Sequence, residues 1–169
     1  ASIEASNVNA TGGASIAATG NLTMRDTSKI TGIGGWGADS GFIGCTNFEM
    51  YDATRLYCQD SYADNCGGCV LGNMRFEGTA TVIARNMTGH ALGGALCGGY
   101  PGQNLTVRGD VTIDVEGSSA GLYGGALMAH AIDLSGGKFN VSLRGTTAPC
   151  GGAIATLDAD NRWGGGPVT

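Results

Sequence analysis

Asn104-Leu105-Thr106-Val107-Arg108-Gly109 runs, after a single Asp110, into Val111-Thr112-Ile113-Asp114-Val115. In both stretches apolar and polar residues alternate, which places the apolar ones on one face of an extended strand. The glycine between them supplies a corner.

The first stretch recurs along the chain as Asn21-Leu-Thr-Met-Arg-Asp26, Asn47-Phe-Glu-Met-Tyr-Asp52, Asn73-Met-Arg-Phe-Glu-Gly78 and Asn140-Val-Ser-Leu-Arg-Gly145. Leu22/Met24, Phe48/Met50, Met74/Phe76, Leu105/Val107 and Val141/Leu143 share one face, and the Asn, Thr and Arg positions share the other. Asn161-Arg-Trp-Gly-Gly-Gly166 keeps the ends of the pattern without its alternation. The second stretch has its own column: Ser28-Lys-Ile-Thr, Thr54-Arg-Leu-Tyr, Ala80-Thr-Val-Ile-Ala, and Val168-Thr169. After Gly145 this column is nearly missing.

Glycine doublets punctuate the repeat at Gly12-Gly13, Gly34-Gly35, Gly67-Gly68, Gly93-Gly94, Gly124-Gly125 and Gly151-Gly152. These six recurring doublets, spread over 169 residues, predict about six rungs of roughly 28 residues. Short strands with Gly corners and weak helical periodicity predict an all-β chain, a parallel β-helix forming one domain over residues 1–169. Analogy with parallel crossovers favours the right-handed sense. Rungs about 4.8 Å apart make a rod roughly 30 Å long.

Gly93-Gly94-Ala95-Leu96, Gly124-Gly125-Ala126-Leu127 and Gly151-Gly152-Ala153-Ile154 resemble the passenger repeats of polymorphic outer-membrane proteins, a kind of autotransporter. That family also uses a Phe-x-x-Asn motif, whose spacing Phe48 and Phe139 do not satisfy. The resemblance covers Gly93 to Ile154 best. It implies a surface-displayed right-handed β-helix used in adhesion or structure.

Gly166-Pro-Val-Thr169 continued by Ala1-Ser-Ile-Glu-Ala-Ser6 reads like Gly109 to Ser118, as though the tail of one unit were completed by the head of the next. The expected partners are therefore copies of the chain stacked end to end, joined covalently or not. The strand edges at each end of such a rod template further pairing. The chain opens with neither an initiator Met nor a signal-peptide pattern, which reads as a processed chain or an excerpt.

A net charge of −5 argues against nucleic acid and anionic membranes as partners, and no apolar run is long enough for a membrane span. Sequons begin at Asn9, Asn21, Asn86, Asn104 and Asn140, more than the one or two that composition alone would give. Cys45, Cys58, Cys66, Cys69, Cys97 and Cys150 stand without metal-spaced His and read as disulfide cysteines of undetermined pairing. Sequons and cysteines together predict an extracellular or cell-surface glycoprotein carrying N-linked glycans. Cys45, Cys58, Cys66 and Cys69 are expected to staple an excursion of the longest rung, and Cys66-Gly-Gly-Cys69 reads as structural rather than redox-active. Cys97 and Cys150, two rungs apart, are expected to find other partners.

No catalytic, cofactor or metal residues are assigned. The acidic residues are scattered over the rungs, and His90 and His130 sit at different offsets from the glycine doublets. Arg108-Gly109-Asp110 matches an integrin-ligand tripeptide but reads first as a rung corner. Gly34 to Asp39 matches the start of one calcium-binding nonapeptide, without the stacked copies such sites need. Thr81, Thr112 and Thr169 share a column that Lys29 and Arg55 interrupt, which weakens an ice-binding reading. The functional expectation is a stacking structural glycoprotein. The alternatives are an adhesin or binding β-helix, a polysaccharide-active enzyme, and an ice-binding protein.

Overall fold

The computed structural model describes residues 1–6, 8–10, 14–98 and 102–156. It is an all-β solenoid of about five turns with parallel sheets on three sides. The first face stacks Ser2–Ser6, Lys29–Ile33, Arg55–Gln59, Thr81–Arg85, Val111–Glu116 and Phe139–Arg144. The second face stacks the two-residue strands Asn9–Ala10, Trp36–Gly37, Tyr62–Ala63, Thr88–Gly89 and Ser119–Ala120. The third face carries Ile16–Met24, Ile43–Met50 and Val70–Gly78, and in later coils each long strand splits in two. The split pieces are Leu96–Cys97 with Leu105–Gly109, and Leu127–Ala129 with Ile132–Gly136, before Ile154–Thr156.

Alternation sets the core. On the first face Ile30, Leu56, Val82 and Ile113 lie in one register and all are buried. Opposite them Phe48, Met74, Leu105 and Ile132 stack inward on the third face. Phe48 and Phe76 meet edge to face, with ring centroids 6.1 Å apart. Gly32 makes room for the buried Phe42 ring, with which any β-carbon at that position would collide.

Corners are built from residues that tolerate left-handed backbone. Asp26, Asp52, Gly78 and Gly109 turn the chain off the third face at φ of 60, 58, 73 and 94°. Asp60 and Asn86, both at φ 53°, stack with Gly34 and Gly117 where the first face ends. The doublets Gly67-Gly68, Gly93-Gly94, Gly124-Gly125 and Gly151-Gly152 do stack on one another, leading from the second face to the third.

Three parts of the sequence reading are corrected. Gly34-Gly35 does not belong to the glycine column: Ser40-Gly41 occupies that place beneath Gly67-Gly68, while Gly35 packs against Ser61. The described residues make about five turns, with six strands stacked on the first face. The expected long excursion also disappears. Successive coils step by 26 residues from Asn21 to Asn47 and again to Asn73, and the longest step is the 31 residues from Asn73 to Asn104.

Asn140-Val-Ser-Leu-Arg-Gly145 is not the fifth copy of the Asn column. Asn140 pairs with Thr112 on the first face, and Ile132–Gly136 continues the third face above Leu105–Gly109. The column that looked nearly missing after Gly145 is thus present as Phe139–Arg144. Both segments alternate, so period alone did not distinguish them. Gly12-Gly13, Asn161 and Val168-Thr169 lie outside the described residues.

Candidate functional site

The column of Asn side chains forms a continuous amide ladder. Asn47 Nδ2 donates to Asn21 Oδ1 at 2.7 Å, and Asn73 Nδ2 donates to Asn47 Oδ1 at 3.0 Å. The chain of bonds ends on backbone: the Asn104 amide donates to Asn73 Oδ1 at 2.9 Å, and the Ala131 amide to Asn104 Oδ1 at 3.1 Å. These backbone donors fix the orientation of every amide above them. The Asn21 side chain thus joins those of Asn47 and Asn73, whereas Asn104 meets the ladder through its backbone N–H and turns its own side-chain oxygen to the Ala131 N–H. Asn104 is half-buried, whereas Asn21, Asn86 and Asn140 are exposed. Asn86 Nδ2 donates to Asp60 Oδ1 at 2.9 Å. Nothing is described of the Asn9 side chain.

At the first coil the apolar interior is open. Ile3 stands in register with Ile30 but is 47% exposed, against 3% for Ile30. Beside it a cavity of about 130 Å³ is lined by Ile3, Leu22, Met24 and Ile30. Ser2–Ser6 pairs only with Lys29–Ile33, and Ile16–Met24 only with Ile43–Met50, so each leaves one strand edge unpaired among the described residues. At the other end Phe139 is 42% exposed, and Phe139–Arg144 pairs only with Val111–Glu116 among the described residues.

The outward side of the first face carries charge in register. Lys29, Arg55, Thr81 and Thr112 stack as the sequence reading placed them. Among the described residues, Lys29 and Arg55 take part in no side-chain ion pair, and they border a shallow cleft of about 240 Å³ together with Tyr57. Two coils on, Arg85 and Arg144 flank Asp114 and Glu116 in an ion-pair cluster that residue spacing had left as scattered charge. The shared offsets of Arg85, Glu116 and Arg144 within their strands carry that signal once the strands are aligned. Burial alone raises the Asp114 pKa, but Arg85 and Arg144 outweigh it and hold the carboxyl below its ordinary value. Both carboxylates are neutralised by guanidinium groups, which suits structure better than acid–base chemistry.

Other candidates resolve individually. Arg108 of the Arg-Gly-Asp tripeptide pairs with Asp133 at 2.5 Å, and Gly109 forms a coil corner. Hydrogen bonds from Arg108, then from Ser135, hold the Asp133 carboxyl well below the carboxylate range. His90 lies on the surface 3.4 Å from the Tyr62 hydroxyl, and His130 is half-buried elsewhere. No group of three His, Cys, Asp or Glu side chains that could hold a metal occurs among the described residues. No helix among them is long and apolar enough to cross a membrane.

One disulfide is present, Cys58–Cys69, with Cα atoms 5.8 Å apart and a sequence separation of 11. It crosses the interior from the first face to the start of the third. Cys45, Cys66, Cys97 and Cys150 stand as free thiols in this structure, and Cys69 is joined to Cys58 rather than to Cys66. Of Cys45, Cys58, Cys66 and Cys69, expected to staple a long excursion, Cys58 and Cys69 are joined, but they bridge ordinary coils rather than an excursion. Burial pushes the Cys45 thiol up to about 11.

A scan against protein-family models gives no match, and searches of curated proteins and of solved structures give none either.

Proposed function

We propose that the chain is a structural module, a segment of an extracellular β-solenoid rod that grows by stacking coil on coil with further copies of itself. The observation that carries this reading is the continuous parallel register, in which each first-face strand pairs with the corresponding strand of the next coil. Ile3 is half-exposed in a column whose next four members are buried, next to an apolar cavity and beside strand edges that are unpaired among the described residues. Parallel coils have complementary upper and lower edges, so their association is head to tail and non-closing, the geometry of a filament. Sequons at Asn86 and Asn140, both exposed, are compatible with N-linked sugars on the sides of such a rod.

We assign no catalytic role. Asp114 and Glu116, outward neighbours on one strand, are both tied to arginines. Robust depolymerisation of acidic polysaccharides would overturn that assignment.

Negative-stain microscopy of the purified full chain tests the stacking. Uniform fibres that lengthen with concentration are expected, and Ile3→Lys should shorten them while leaving the far-UV circular dichroism unchanged. Monodisperse short rods at every concentration would sink the proposal.

Short rods would favour a second reading, a binding solenoid. Lys29 and Arg55 stack in adjacent coils beside Tyr57 without carboxylate partners in an ion pair. Like charges facing one another across a ladder are destabilising, and an acidic ligand along the rod would relieve that repulsion. Binding of an acidic glycan that is lost in Lys29→Ala and Arg55→Ala would support this reading.

A further inference from the structure

We propose that Cys66 and Cys97 form a second disulfide, one that ties the second-to-third-face corner of one coil to the strand of the next. The two residues belong to the same small apolar cluster with Leu71 and Met128, set apart from the main core, and both are buried, at 1% and 0% exposure. Cys66 precedes the Gly67-Gly68 corner and bridges to Leu92, while Cys97 follows the Gly93-Gly94 corner and pairs with Leu71. Stacking the two corners brings the Cys97 side chain under the earlier one. A β-carbon placed on Gly67 would lie 3.0 Å from Cys97 Cβ, and one on Gly93 would lie 2.9 Å from it. Cys66, the residue next to Gly67, packs into the same small apolar cluster as Cys97. Cys97 Sγ also lies 3.9 Å from Met128 Sδ, a thioether that offers no competing thiol.

The remaining thiols do not compete. Cys45 packs against the main core in an earlier coil, and Cys150 is exposed, bridging to Tyr123 in a later one. Cys69 is already joined to Cys58.

The chemistry is thiol–disulfide exchange with a small-molecule disulfide such as oxidised glutathione. One cysteine thiolate attacks a glutathione sulfur and expels the first glutathione thiolate, leaving a mixed disulfide. The second protein thiolate then attacks the protein-bound sulfur and expels the other. The two protons lost by Cys66 and Cys97 end on the two glutathione thiols. Burial, and then the neighbouring Cys66, push the Cys97 thiol up, so exchange belongs to folding, before the corner closes.

The test is to fold the full chain in a glutathione redox buffer, quench, denature and alkylate without reduction, then map the peptides. Two alkylated cysteines, Cys45 and Cys150, are expected, with a cross-link between the Cys66 and Cys97 peptides. Cys66→Ser should abolish that link, expose Cys97 to alkylation and leave Cys58–Cys69 intact. Four alkylated cysteines, or Cys66 joined to Cys69, would overturn the proposal, and the native protein alone decides this even if the variant misfolds.

Discussion

Asn73 is the position at which the amide ladder meets the backbone, and Asn73→Ala tests whether the ladder stabilises the coils. Its side chain makes two hydrogen bonds, one to Asn47 Oδ1 and one from the Asn104 amide. Neutral bonds of this kind contribute about 1 kcal/mol each, and a part-buried backbone N–H left without an acceptor costs about 1–3 kcal/mol. The loss should be about 3 kcal/mol, equivalent to a Tm decrease of about 6–12 °C in a chain of this length. Asn47→Ala breaks two side-chain bonds but orphans no backbone donor, so about 1–2 kcal/mol is expected. Asn21→Ala removes one exposed bond and should cost less than about 1 kcal/mol. Asn73→Asp keeps an acceptor for the Asn104 amide, and flipping Asn47 and Asn21 restores the rest, so it should lie close to wild type. The assay is thermal and urea unfolding by circular dichroism at fixed protein concentration. Equal effects at Asn21 and Asn73, or an unperturbed Asn73→Ala, would refute the reasoning.

Four further outcomes follow from the same geometry. Phe48→Ala and Phe76→Ala should each cost about 3–5 kcal/mol, and their double-mutant cycle should show coupling of about 0.5–1.5 kcal/mol from the edge-to-face contact, read by urea denaturation. Gly94→Ala drives a β-carbon into the Gly125 carbonyl and should prevent folding, while Gly20→Ala meets no neighbouring atom and should be neutral or mildly stabilising; soluble yield and Tm separate them. Asp60, Asp114 and Asp133 all have carboxyls lowered in the folded state, so their stabilisation is present above the unfolded value near 4 and is lost as pH falls below it; Tm should drop between about pH 5 and pH 2, less steeply in Asp133→Asn. On expression through a eukaryotic secretory route, glycopeptide mapping should find Asn86 and Asn140 occupied ahead of Asn104, whose side chain is half-buried and engaged with Ala131.

The strand alternation made the solenoid legible. Leu22, Phe48, Met74 and Leu105 lie in one inward column as period two predicts, and Lys29, Arg55, Thr81 and Thr112 in another. The errors arose where two different parts of a coil look alike. Gly34-Gly35 resembles the doublet column because both corners require compact residues, yet the first-face corner also accepts Asp60 and Asn86 in left-handed backbone. Phe139–Arg144 resembles the Asn column because both faces alternate. Short periods locate strands without telling which side of a coil they occupy. The Asp114–Arg85–Arg144 cluster depends on alignment between coils, which the 31-residue step from Asn73 to Asn104 throws out of phase.

Asn21 is at once the outermost amide of the ladder and a sequon asparagine. The nitrogen that would offer its proton to an arriving coil is the same atom to which an oligosaccharide is attached. Under the stacking proposed above, a sugar there would act as a stopper on the tip, and its absence would leave the tip receptive. Occupancy at this one asparagine would then set how long the filaments become.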